Sequence, residues 1–364
     1  MKAAVLHEVN QPLEIQEVQT SKPGPREVLV RTVAAGICHS DLHFQNGSYP
    51  YPLPAILGHE SAGVVEEVGS SVNYVKKGDH VITCLSAFCG HCEYCLTGHM
   101  SLCQEPELLR KEGEESRLMQ NAKPIAQFLN LSSFAEQMLV HEHAITKIRD
   151  DMPLDRAALI GCGVTTGVGA VIHTAAVEPG STVAVIGCGG VGLSCINGAE
   201  IAGASRIIAI DTVASKLELA RKFGATDVVN AKDSDAVEAV RELTQGGVHY
   251  SFEAIGLKAT TEQAFKMIRA GGCATVIGMI PVGTMVEVHG PEFLREKKLQ
   301  GSNMGSNRFR VDMPRFVDFY LSGKLHLDDM ISSHISLEDV NAGLQQLETG
   351  EVARNVIMLS LIHI

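Results

Sequence analysis

The chain has 364 residues, 45% of them hydrophobic and 20% charged, and a formal net charge of -12 at pH 7. That much apolar material exceeds one ordinary core and predicts two domains, while 42 Asp and Glu against 30 Lys and Arg, with no basic stripe, argue against a nucleic-acid partner. The start, Met1-Lys2-Ala3-Ala4-Val5-Leu6-His7-Glu8, meets charge too early for a signal-peptide apolar region, and no run of about 18 uninterrupted apolar residues occurs, so a cytoplasmic, membrane-free protein is expected.

In chain order, the first part reads as β-structure. Glu27 to Val33, Gly63 to Gly69 and Asp79 to Ile82 are β-branched runs bounded by Gly, Pro or Asp. From Cys103 to Phe134 the pattern gives way to a charged stretch, Leu109 to Arg117, expected to be an exposed excursion with no chemistry. From Ser181 the texture alternates between apolar strand and amphipathic helix. Strands are expected at Thr182 to Ile186, Arg206 to Ile210, Val228-Val229, Tyr250 to Ile255 and Ala274 to Ile277, with helices to about Ala202, through Phe223, and over Asp235 to Leu243 and Thr261 to Ile268. This βαβ order predicts a doubly wound parallel sheet. After Gly301 the rhythm is lost, and the chain is expected to return to the first domain.

Three groups of residues carry chemistry. Gly187-Cys188-Gly189-Gly190-Val191-Gly192 follows a predicted strand and opens a helix, so its glycines let backbone approach a pyrophosphate at the helix N-terminus. The second strand of this half ends in Asp211, placed to accept hydrogen bonds from the adenine-side ribose and to repel a 2'-phosphate; Lys216 is close enough to join it, and NAD is expected over NADP. Cys89-x-x-Cys92-x-x-Cys95-x7-Cys103 offers four thiolates within fifteen residues, the pattern of a closed, structural zinc; buried reduced cysteines or an iron-sulfur cluster share that spacing. Cys38, His59 and Cys162 lie in Gly36-Ile37-Cys38-His39-Ser40-Asp41, Gly58-His59-Glu60-Ser61-Ala62-Gly63 and Gly161-Cys162-Gly163, and spacing alone does not join them.

Taken together in this order, these motifs resemble the zinc-containing medium-chain alcohol dehydrogenases, and the resemblance runs from the first residues to about Ser360. It implies an α/β chain of two domains: a GroES-like β-rich catalytic domain over 1–163 and 304–364, with its zinc lobe at about 84–104, and a Rossmann NAD-binding domain over 164–303. It implies Cys38, His59 and Cys162 as three ligands of a catalytic zinc with the fourth position left for water or substrate oxygen. Glu60 would sit behind the metal, and Asp41 would orient His59. Ser40 would contact substrate oxygen, and His43 would pass its proton on toward solvent. His39 and Arg354 are similar to cofactor-pyrophosphate contacts, and Thr166 to a residue packing on nicotinamide. Two zincs per subunit, NAD, a small alcohol or aldehyde substrate and a homodimer follow, with pairing of dimers into a homotetramer left open. The segment Thr284 to Val288, with the strand near Val276-Ile277, is where the relatives continue one sheet across a two-fold axis.

Glutathione-dependent members carry a basic residue after the last lobe cysteine, whereas this chain has Gln104-Glu105-Pro106-Glu107, which argues against that substrate. Leu85 and Tyr49 fall at pocket positions, consistent with a primary or aromatic alcohol. Cys84, Cys188, Cys195 and Cys273 read as core residues, and the tail Leu361 to Ile364 is given no role. A zinc-free quinone reductase would lack Cys38, His59 and Cys162, and a non-catalytic NAD-binding protein would give no reason for them beside Ser40 and His43.

Overall fold

The computed structural model describes residues 1–105, 108–111, 113–350 and 352–359, so Pro106, Glu107 and the tail 361–364 lie outside the described residues. The chain divides into two compact units: Met1–Cys162 with Arg308–Ser322 and Ile331–Ile364, and Gly163–Asn307 with Gly323–Met330. Residues 304–307 and 323–330, expected in the first domain, therefore belong to the second unit. The reason is local: Thr174 Oγ1 bonds Ser306 Oγ at 2.8 Å, and Asn197 donates to the Lys324 carbonyl while accepting from the His326 amide.

In the first unit the ten-residue strand Glu27–Gly36 is the organiser. Its β-branched residues alternate toward a buried layer with Val28 and Val30 inside, and it pairs antiparallel with Glu60–Val68, Gln137–His141 and Arg354–Met358. Gly36 stands opposite Glu60, so the chain leaving one strand toward Cys38 lies beside the chain entering the other from His59. A Cβ on Gly36 would meet Glu60 Oε1 at 2.1 Å, so any larger residue there would displace that carboxylate. Smaller sheets pack on this layer: Lys2–Leu6 lies between Glu14–Glu17 and Ala55–Ile56, and Leu118–Gln120 pairs with Gln19–Thr20.

The charged stretch after Cys103 is exposed at Leu109, Lys111 and Gly113 to Glu115, yet it is anchored to the interior. Arg110 and Arg117 both reach the buried carboxylate of Glu27, at 2.5 and 2.6 Å, and Leu108, Leu118, Ile125, Phe128 and Leu131 are all buried. Charge along the segment looked like a solvated loop, yet its two arginines satisfy one interior acid 83 and 90 residues earlier. The helical run Leu154–Thr174 has the length and apolar composition of a membrane span but is mostly buried inside the protein. It is interrupted by π-helical turns at Ile160–Val164 and Ala170–Thr174.

The second unit is built on six parallel strands in the order Asp227–Asn230, Arg206–Asp211, Thr182–Ile186, Val248–Glu253, Ile268–Val276 and Lys298–Gly301. The order reverses direction between Thr182–Ile186 and Val248–Glu253, the place where doubly wound sheets bind their ligands beyond the strands' carboxyl ends. Helices Gly190–Ile201, Ala214–Lys222, Ala236–Thr244 and Lys258–Met267 connect the strands, and Asp235 caps the third by accepting the Val237 and Glu238 amides. Thr284 to Val288 forms no strand: the turn at Pro281 to Thr284 redirects the chain, and Val282 and Met285 are exposed. Cys84, Cys188, Cys195 and Cys273 are buried, as the sequence suggests.

Candidate functional site

Cys38 caps the short helix His39–Gln45, and the side chain of Asp41 accepts the Cys38 amide at 3.0 Å. The same carboxylate accepts the Gly58 amide and lies 3.1 Å from His59 Nδ1. One buried acid thus joins two ligand-bearing loops and holds the imidazole so that its other nitrogen faces inward. Gly58 makes this possible with φ +90, a conformation in which a Cβ would strike Phe134 at 2.5 Å. Cys162 is delivered by the π-helical turn Ile160–Val164, a local widening of the kind found at functional sites. The two thiols and the imidazole bring their ligand atoms within 4.8 Å of one another, and all three residues are buried. Phe128 closes one side, its ring 5.8 Å from that of His59.

The donor set suits a metal. His59 Nε2 is buried and has no hydrogen-bond partner, a costly state for a nitrogen unless an ion takes its lone pair. The Cys162 thiol, hydrogen-bonded to Cys38, holds the Cys38 thiol well below its usual range, with Arg354 and His59 adding to the effect against the opposing pull of burial. Two sulfurs and one imidazole nitrogen leave one of zinc's four positions open. Arg354 is 2% exposed, its Nε lies 3.1 Å from Glu60 Oε1, and it donates to the Ile37 carbonyl at 2.9 Å. Burial pulls the pKa of the Arg354 guanidinium down, but Glu60, Cys38 and Cys162 all act on it and raise it.

Ser40 Oγ lies 3.7 Å from Cys38 Sγ. His43 is one helical turn from His39, their rings 5.4 Å apart, and its ring is 6.1 Å from that of Tyr49. Burial holds the His43 pKa below the ordinary imidazole value, with Cys38 pulling the other way. His39 is exposed, and Leu85 and Tyr49 are half-buried.

The four-cysteine lobe folds on itself. Cys89 Sγ accepts the amides of His91 and Cys92, and Cys103 Sγ accepts that of Cys89, the donors that stabilise thiolates. Sulfurs bound at about 2.3 Å around one tetrahedral centre stand about 3.8 Å apart; Cys89 to Cys95 is 3.8 Å and Cys92 to Cys103 is 3.9 Å. The lobe is therefore a candidate structural zinc site with no position left over.

In the second unit, the fingerprint turns between strand Thr182–Ile186 and helix Gly190–Ile201, which Gly189 caps. Gly187 has φ +95, a Cβ on Gly192 would lie 1.7 Å from the Gly187 carbonyl, and one on Gly189 would meet only open space. The first two features make the turn tight, and the third leaves bare backbone toward which a pyrophosphate fits. Gly190 is buried and Val191 half-buried beside them. Asp211 ends the next strand; its Oδ2 accepts the Cys188 amide at 2.8 Å, and Oδ1 takes the amides of Thr212 and Val213. Lys216 lies in the first turn of Ala214–Lys222, half-buried. Thr166 is buried, with its hydroxyl 3.3 Å from Met304 Sδ. The sequence reading missed Gly58, whose signal was its place before His59, and Phe128, whose signal was the apolar run Phe128-Leu129 inside a charged stretch.

Residues 24–150 match the alcohol dehydrogenase GroES-like domain family and residues 190–322 the zinc-binding dehydrogenase family. Among curated relatives, alcohol dehydrogenase class-3 of Oryza sativa subsp. japonica is 38% identical over 98% of this chain and 96% of its own. S-(hydroxymethyl)glutathione dehydrogenase of Paracoccus denitrificans is 38% identical over 98% of this chain and 99% of its own. Among solved structures, benzyl alcohol dehydrogenase from Acinetobacter calcoaceticus superposes with TM-score 0.93 at 33% identity over 99% of both chains. An alcohol dehydrogenase zinc-binding domain protein from Burkholderia ambifaria does so with 0.94 at 37% identity, over 99% of this chain and 98% of its own. The geometry of the two cysteine sets and these full-length likenesses agree: the chain is a member of the zinc-dependent alcohol dehydrogenase family of oxidoreductases.

Proposed function

We propose that the chain is an NAD-dependent alcohol dehydrogenase that reversibly oxidises a primary or aromatic alcohol to the aldehyde, or a secondary alcohol to the ketone, with Cys38, His59 and Cys162 holding the catalytic zinc. The observation that carries this reading is the three-donor set with its unpartnered imidazole nitrogen. A zinc held there with one open position would lower the pKa of an alcohol, and NAD would supply the hydride acceptor. Asp41 keeps the His59 proton on Nδ1 and fixes the ring. Ser40, beside a ligand sulfur, takes the hydroxyl proton, and His43, a turn further on the same helix, carries it toward solvent. Burial favours neutral His43, the form able to accept that proton.

For the cofactor, the bare backbone at Gly189 and the helix N-terminus suit a pyrophosphate. Asp211 Oδ2, holding one amide, keeps a lone pair for a ribose hydroxyl and disfavours a 2'-phosphate. Lys216 would assist at that ribose, and Thr166 would pack on the nicotinamide. A homodimer is proposed on the family likeness.

A second substrate reading is favoured by the relative named for S-(hydroxymethyl)glutathione. Against it stands the acidic Glu105 just beyond Cys103. Initial rates with NAD and a panel of aliphatic alcohols, benzyl alcohol and S-(hydroxymethyl)glutathione decide between them. Turnover of simple or aromatic alcohols with kcat/KM above that of the glutathione adduct is expected; the reverse order would replace the substrate assignment, and turnover of neither would remove the activity.

A further inference from the structure

Glu253, the last residue of strand Val248–Glu253, is fully buried, and none of the chemistry above uses it. Its Oε1 accepts three hydrogen bonds: from the amides of Ile255 at 3.0 Å and Gly256 at 2.8 Å, and from the Thr260 hydroxyl at 2.7 Å. Its main-chain carbonyl accepts two more, from Ile277 at 2.9 Å and Gly278 at 3.1 Å, in the loop that leaves the next strand. Its second carboxylate oxygen, Oε2, is buried without a hydrogen-bond partner. A carboxylate kept dry in this way costs free energy unless its geometry is needed.

What it holds are the two loops at the carboxyl edge of the sheet beside the direction switch. They are pressed together with no slack. A Cβ on Gly278 would meet the Gly256 amide at 2.1 Å and Glu253 Oε2 at 2.6 Å, and one on Gly256 would meet the Met279 carbonyl at 2.5 Å. The first loop also abuts the glycine fingerprint: the Ala254 amide bonds the Ile186 carbonyl at 2.9 Å, and a Cβ on Gly187 would strike Ile255 at 2.6 Å. Ile255 itself stays 40% exposed, an apolar side chain held out over the place where a dinucleotide would lie.

We infer that Glu253 is a positioning residue for the dinucleotide: through Oε1 it fixes the Ala254 to Leu257 loop against the fingerprint, and through its carbonyl it locks that loop to the one following Val276, so that both walls of the cofactor site move as one piece. This inference rests on the proposed use of NAD. It requires an acceptor at Oε1 and not a charge as such, so Glu253→Gln and Glu253→Ala separate the role from burial alone.

The test is NADH binding to the purified full chain, followed by nicotinamide fluorescence well below the unfolding temperature, with zinc content as the check that the first unit is intact. Wild type is expected to bind. Glu253→Ala is expected to raise Kd about 10-fold or more, and Glu253→Gln to stay within about 3-fold of wild type. Should Glu253→Ala fail to fold, Thr260→Ala, which removes one of the three donors, is expected to raise Kd by a smaller factor while leaving zinc unchanged. Equal Kd for wild type and the Ala variant, or a Gln variant as weak as Ala, overturns the positioning role. Absence of NADH binding by wild type overturns the cofactor reading, and this inference with it.

Discussion

Asp41 makes three hydrogen bonds, to the amides of Cys38 and Gly58 and to His59 Nδ1, and each acts on a different part of the ligand set. Removing it frees the N-terminus of the short helix, releases the loop before His59 and lets the imidazole choose the wrong tautomer. Loss of such a supporting acid typically weakens a metal site about 10- to 100-fold. Asp41→Ala is therefore expected to lower zinc affinity at the Cys38 set by about that factor while the four-cysteine lobe keeps its ion, as read by chelator competition. Unchanged affinity would show that the ligands hold themselves. Ser40 acts differently: its hydroxyl lies 3.7 Å from the Cys38 sulfur, beside the ligand set and not as one of its donors. Ser40→Ala is expected to keep full zinc and lose about 10²-fold or more in kcat; retained kcat would remove it from the proton path.

The elements show where local pattern is sufficient and where it is not. Five of the six parallel strands and their helices stand close to where alternation and periodicity put them, because in a buried parallel sheet each strand is a short apolar run bracketed by Gly or Asp; the edge strand Lys298–Gly301, with one apolar side chain, carries no such signal. The segment after Cys103 escaped the same reading because its two arginines share an acid far away in the sequence, Glu27. That acid is depressed to about 2: burial alone would raise it, but the guanidinium groups of Arg110 and Arg117 outweigh burial. A depressed carboxylate contributes stability that is fully present above its unfolded value of about 4.5 and is lost as pH falls from there toward 2. Denaturant midpoints are thus expected to fall through that window in wild type. In Glu27→Gln the window flattens, with a loss of about 3 kcal/mol or more at neutral pH because two arginines lose their buried partner. A pH profile unaffected by the substitution would mean that other acids set it. At the fingerprint, Gly192→Ala places a Cβ 1.7 Å from the Gly187 carbonyl, so the turn must open and NADH affinity is expected to drop by at least about 10-fold; wild-type Kd would contradict the tight-turn account.

For the whole molecule, two units were legible from the change of texture near Ser181, and the grouping of Cys38, His59 and Cys162 was legible only once family order linked them. Spacing could not join residues 21 and 103 positions apart, since their meeting depends on the Gly36 to Glu60 register and on a π-helical turn. Nor could spacing join Arg354 to Glu60, which meet because Arg354–Met358 pairs with Glu27–Gly36. The central claim is that one set of three residues holds a zinc that the reaction needs and a separate four-cysteine lobe holds another. Zinc should be counted in purified wild type and Cys38→Ser, with alcohol-dependent NADH formation followed at 340 nm on the same samples. Two zincs per chain with turnover in wild type, and about one zinc with no turnover in the variant, is the predicted result; a well-folded wild type with one zinc or none that oxidises no alcohol would contradict it.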